Sequence, residues 1–195
     1  MKFKIKNTTV TISFSFLLLF LYFSLTNNLD VYINSLMASL LHEFVHIFFI
    51  ILYKENVAKI TFNIFGGKIE KANKKIISNN KEAIINLSAP LFNIIVGLIS
   101  LLINRNSRWG VVNLFIGCFN ILPFSFFDGG RGLYFLLSDK FSEKTSKKLI
   151  TIISVMITVI FTAISVYIFL NHYKNYSLVL MSLYMIISVF LKPTS

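Results

Sequence analysis

His42-Glu43-Phe44-Val45-His46 places two histidines four residues apart with a glutamate beside the first. On a helix that spacing puts both imidazoles on one face, where they can hold one Zn²⁺, and it leaves Glu43 to take a proton from a metal-activated water. The pattern is short, but its setting sharpens it. The chain has three histidines and eight acids. Two of those histidines and one acid stand together inside an apolar run, where an ionisable group costs about 2.5 to 3.5 kcal/mol on insertion scales and marks function. The plain alternative is a polar packing patch, with His42 and His46 hydrogen-bonded across helices.

A catalytic zinc site takes three protein ligands and keeps a fourth position for water, so a third ligand must lie elsewhere. Asp30, Glu55, Glu70, Glu82, Asp139 and Glu143 fall in polar connections or at their edges, whereas Asp128 closes an apolar run in Asn120-Ile121-Leu122-Pro123-Phe124-Ser125-Phe126-Phe127-Asp128-Gly129-Gly130-Arg131. Pro123 interrupts helix there and Gly129-Gly130 permit a sharp turn, so a helix-ending turn aspartate competes with the ligand reading of Asp128. Glu143 is the other downstream carboxylate to weigh, in a solvated setting beside Lys144.

The elements that carry these residues are apolar. Of 195 residues 55% are hydrophobic and 14% charged, against about 25% charged in a soluble domain, which points to one integral membrane domain over residues 1–195. The lone cysteine, Cys118, excludes a disulfide framework and a cysteine-rich zinc ribbon; it reads as a small packing residue. Apolar runs give six expected transmembrane helices, at residues 10–25, 31–53, 83–103, 111–127, 149–170 and 176–191. The first follows Lys2, Lys4 and Lys6 and imitates a signal peptide, but no small-x-small cleavage site follows, so it reads as a retained anchor. With the N-terminus inside, sixteen of the nineteen Lys and Arg fall on the cytoplasmic side, leaving Arg105, Arg108 and Lys174 opposite. That asymmetry predicts both termini in the cytoplasm. The net charge of +11 then meets lipid head groups in the bilayer rather than nucleic acid, for which no motif appears.

Within residues 54–82, Ile60, Phe62 and Ile64 alternate with Lys59, Thr61 and Asn63 before Gly66-Gly67. This predicts a short membrane-associated β-hairpin between spans two and three, turning at the glycines, whose edge around Ile60 to Ile64 can pair with an extended segment of substrate. A plain loop is the alternative. Spans two and four run in the same direction, with His46 about 12 Å before the end of its span and Asp128 at the end of the other, so both half-sites fall toward the cytoplasmic face. Asn93 reads equally as a cavity residue or a helix tie, Arg131 as a head-group contact and His172 as a loop residue.

Taken together, His42-Glu43-Phe44-Val45-His46, Ser88-Ala89-Pro90-Leu91-Phe92-Asn93 and the segment ending Asp128-Gly129-Gly130-Arg131 resemble the site-2 protease family of intramembrane zinc metalloproteases, most closely its stage IV sporulation protein FB group. The resemblance implies an all-α polytopic fold in a cell membrane, with one Zn²⁺ held by His42, His46 and Asp128 and with Glu43 as catalytic acid/base. It implies Asn120 and Pro123 in a substrate-facing segment. The implied partner is a membrane-embedded or membrane-associated protein substrate, with a sporulation sigma-factor precursor as one case, and inhibitory membrane proteins are implied as regulators. The nucleotide-sensing tail and inserted PDZ domain of many relatives have no counterpart within these residues. Ser125-Phe126-Phe127 stands where the family commonly has a second proline. A catalytically silent polytopic protein that carries metal or scaffolds a partner is the alternative from another class, because intramembrane His and acid clusters also line ion pathways.

Overall fold

A computed structural model describes residues 2–5, 8–12, 29–63, 66–71, 77–171 and 176–191. The chain is mostly helical with one small sheet, and it falls into two compact units, Met1–Asn120 and Ile121–Ser195.

The first unit joins strands β1 (Lys2–Ile5), β2 (Thr8–Ile12), β3 (Val57–Asn63) and β4 (Gly66–Lys71) to helices α1 (Leu29–Leu52), α2 (Asn79–Ile103) and α3 (Arg108–Asn120). α1 and α2 have 24 and 25 residues and are apolar enough to cross a membrane; at 1.5 Å per residue they reach about 36 Å, beyond a hydrocarbon core of about 30 Å. Their faces are inverted relative to a soluble bundle. α1 buries Tyr32, Ala38, His42, Val45, His46 and Ile50, while Phe44, Phe48 and Ile51 are exposed, as expected where lipid covers the outside and the interior carries small and polar groups. α2 and α3 approach closely because Gly97, Gly110 and Gly117 lie between them; a Cβ on Gly117 would stand 2.7 Å from the Pro90 carbonyl oxygen.

The predicted hairpin is half of a larger sheet. β3 and β4 pair antiparallel, but β2 pairs with β3 in parallel and β1 with β2 antiparallel, giving the order β1-β2-β3-β4. Phe3, Val10, Ile60 and Ile69 form one row across all four strands, and Lys4, Thr9, Lys59 and Glu70 form the next. Successive rows point to opposite faces, so the sheet has one apolar and one polar side. Three expectations are corrected here. Val10 belongs to β2 rather than to a first transmembrane helix; residues 13–25 of that expected span lie outside the described residues. Gly66 and Gly67 pair with Asn63 and Phe62, so they belong to β4 and do not form the turn. β3 is interior, its ladder taken on both sides, so the edge expected at Ile60 and Phe62 is closed; Ile64 lies outside the described residues.

The second unit holds α4 (Asp128–Ser138), α5 (Glu143–Asn171) and α6 (Tyr176–Leu191). α5, with 29 residues, is the third helix long and apolar enough to cross a membrane; α6 contains a shorter apolar stretch, Leu178–Ile187. The expected single span at residues 111–127 does not form as one helix. α3 stops at Asn120 after 13 residues, an irregular stretch passes Pro123, and the chain restarts as α4, where a loop was expected.

Candidate metal centre

α1 delivers the two histidines as the i, i+4 spacing requires. His42 and His46 are 4% and 8% exposed, their rings meet edge to face at 82°, and their Nε2 atoms lie 3.2 Å apart. His46 Nδ1 stands 2.8 Å from the Ile85 carbonyl oxygen on α2. A carbonyl only accepts, so Nδ1 carries the proton and the Nε2 lone pair turns toward His42. Two nitrogens at about 2.0 to 2.1 Å from one tetrahedral ion stand about 3.3 Å apart, close to the observed separation. The Nδ1–H to carbonyl bond is also the second contact that metal-ligating histidines ordinarily make. The pair therefore fits a zinc ion. Glu43, half-buried, follows His42 on the same helical turn.

Asn93 on α2 is fully buried. Its Nδ2 donates to the Ala38 carbonyl of α1 at 3.4 Å and to Asn113 Oδ1 of α3 at 3.3 Å, so it ties three helices. Asn113, fully buried, donates in turn to the Trp109 carbonyl at 2.9 Å. Sequence reasoning missed Asn113, although its spacing from Gly110 and Gly117, three and four residues away, marks the buried face of α3. Asn120 ends that helix and its Nδ2 turns back to the Ile116 carbonyl at 3.0 Å.

In the second unit Asp128 begins a helix; it does not end one. Gly129 and Gly130 serve close packing rather than a turn, since a Cβ on either would collide with the carbonyl of Ile121 or of Phe124. The stretch before Asp128 is tightly held. Phe124 is fully buried; Phe126 contacts Phe124 and Phe127, with ring centroids 5.4 and 4.4 Å apart, and Tyr184 of α6 at 5.8 Å. The Pro123 carbonyl accepts from Ser154 Oγ of α5 at 3.0 Å. Phe126 and Phe127 thus anchor by ring packing the segment that delivers the carboxylate. Arg131 and Glu143 are exposed, and so is Cys118, which was expected to pack inside; it faces outward on α3. His172 lies outside the described residues.

Two imidazoles and one carboxylate, from His42, His46 and Asp128, make a His-His-Asp donor set that could hold a metal ion. No family model and no curated protein matches the chain. Among solved structures it is similar to the site-2 protease from Methanocaldococcus jannaschii, with a TM-score of 0.68 and 23% identity over 100% of this chain and 96% of that one. The chain has the site-2 protease fold. Three membrane-length apolar helices, the small sheet and the donor set are all consistent with a membrane protein of that architecture.

Proposed function

We propose that the chain is an intramembrane zinc metalloprotease that hydrolyses a peptide bond of a membrane-embedded or membrane-associated protein near the cytoplasmic face. The observation that carries this reading is the buried Nε2 pair, 3.2 Å apart with the His46 tautomer fixed by Ile85, together with the Asp128 carboxylate. Bound zinc supplies Lewis acidity and lowers the pKa of water to about 7. His42, His46 and Asp128 would hold it, and the single negative charge of Asp128 would offset part of the metal's. Glu43 accepts the proton of the attacking water and returns it to the leaving amine.

A helical substrate hides its carbonyls in its own hydrogen bonds, so it must unwind before Glu43 chemistry can reach them. With β3 closed on both sides, the outer edges of β1 and β4 are the ones left among the described strands to receive an extended segment by main-chain pairing. The apolar row of Phe3, Val10, Ile60 and Ile69 supports a sheet that lies with that face on the membrane surface. Asn120 and Pro123 border the substrate-facing segment. The proposal keeps the six spans and cytoplasmic termini expected from the apolar runs and the lysine asymmetry. The stage IV sporulation FB resemblance makes a sigma-factor precursor one substrate to test, and inhibitory membrane proteins are candidate regulators.

The silent metal carrier has less support. Of the four buried polar residues of α5, Ser154, Thr158 and Ser165 donate to carbonyls of their own helix or of Pro123, which leaves Ser146 Oγ as the one without a hydrogen-bond partner among the described residues, too few for a polar pathway. The deciding experiment compares wild type with Glu43→Gln for zinc content and for cleavage of a membrane-associated substrate. The amide keeps the shape but accepts no proton. Zinc should stay at wild-type stoichiometry while cleavage falls at least about 100-fold; a Glu43→Gln protein that still cuts would remove Glu43 from the chemistry.

A further inference from the structure

We propose that the first turns of α5 bind the head group of an anionic phospholipid. Lys144, Lys147 and Lys148 line one cleft of about 710 Å³ together with Glu143, Thr151 and Ile152. The steps of three and four residues from Lys144 through Lys147 or Lys148 to Thr151 put these side chains on one helical face. Three ammonium groups against one carboxylate leave the cleft with two net positive charges. Among the described residues the ion pairs are Lys59 with Glu70, Lys71 with Glu82 and Arg108 with Asp30, so the three lysines are uncommitted. The Thr151 hydroxyl donates to the Lys147 carbonyl at 2.9 Å, which leaves the lysines as the donors for a bound anion.

What lies beyond the cleft selects the kind of anion. The same face continues as Ile152, Val155, Met156 and Val159, exposed by 45, 38, 58 and 62%. From Lys148 to Val159 this ridge runs about 16 Å, the depth of one leaflet's hydrocarbon. A phosphodiester beside the lysines would therefore continue into an acyl chain along the ridge, whereas a free phosphate would use the lysines alone. Ammonium groups near an anionic lipid surface contribute additively. The inference does not depend on proteolysis and holds for any activity of the chain.

The test is binding of phosphatidylglycerol to the purified full chain by native mass spectrometry, with phosphatidylcholine as the neutral comparison and inorganic phosphate as competitor. Wild type should retain phosphatidylglycerol over phosphatidylcholine. The Lys144→Gln, Lys147→Gln, Lys148→Gln protein should lose that preference at least tenfold, since three lysines contribute about fivefold each. The corresponding triple Arg protein should keep it, and so should Lys2→Gln, Lys4→Gln, Lys54→Gln, which removes the same charge elsewhere. An unchanged preference in the first variant, an equal loss in the charge-matched variant, or displacement of lipid by inorganic phosphate would each overturn the site.

Discussion

A carboxylate that ligates a metal cannot be exchanged for its amide without loss, whereas one that only stands in the first turn of a helix, after the Phe127 N-cap, loses no more than its dipole interaction of about 0.3 to 1 kcal/mol. Asp128→Asn therefore separates the two readings. As a ligand, the amide keeps the volume and one oxygen but loses the charge that balances Zn²⁺, so zinc retention and cleavage should fall nearly as far as in Asp128→Ala, with Asp139→Ala, exposed after α4, as the unaffected control. A zinc-replete, active Asp128→Asn protein would remove Asp128 from the site. Glu55 supports a prediction of the opposite sign. Lys54 takes a left-handed φ of 60°, and Glu55 N–H closes the α1 terminus onto the Ile50 carbonyl at 3.0 Å, which puts Glu55 where such caps usually carry an apolar side chain. It is 4% exposed and neither carboxylate oxygen has a hydrogen-bond partner among the described residues. Unsatisfied buried groups cost about 1 to 3 kcal/mol, so Glu55→Leu should raise the thermal midpoint in detergent; a lower midpoint would mean the carboxylate has a stabilising partner.

Between elements, α1 and α2 are joined by two polar rungs, His46 to Ile85 and Asn93 to Ala38, each pair of residues eight apart along its own helix. His42 lies between them, so the rungs fix the rotation of α1 that aims its imidazole. Removing Asn93 also strands the Asn113 oxygen. Asn93→Ala should destabilise by about 0.5 to 2 kcal/mol, and the Asn93→Ala, Asn113→Ala double variant should lose less than the sum of the singles, since the two amides share a bond. Strict additivity in a thermal-unfolding cycle would show the rungs to be independent. These helices were legible in the sequence because long apolar runs state both their existence and their approximate ends, and the two histidines follow from spacing alone. β3 and β4 were legible from alternation. β1 and β2 were not, because Lys2, Lys4 and Lys6 read as a charged preface and the parallel partner of β2 lies some fifty residues on. α4 was hidden by Asp128-Gly129-Gly130, which reads as a turn; the glycines are there because carbonyls crowd the helix start.

For the whole molecule, the arrangement of the first unit turns the charge asymmetry into a topology with defined checkpoints. Arg108 Nη1 pairs with Asp30 Oδ2 at 3.3 Å, so α1 and α3 begin at one end of that unit. At the other end Lys81 lies over the Tyr53 ring at 5.6 Å and Lys71 Nζ meets Glu82 Oε1 at 2.6 Å, which joins the end of α1, the sheet and the start of α2. Lys2, Lys4, Lys54, Lys59, Lys71 and Lys81 all belong to this second end, and the excess of lysine there predicts that it faces the cytoplasm. β2 and β3 lie side by side, so on the six-span proposal the crossings between them are even in number and α1 is one of them. A cysteine placed at residue 28 should therefore label from outside the cell, as should one at residue 106 beyond α2, while residues 75 and 195 should label only after permeabilisation. Outside labelling at residue 75 would invert the assignment, and protection at residue 28 would break the even count and with it the six-span reading.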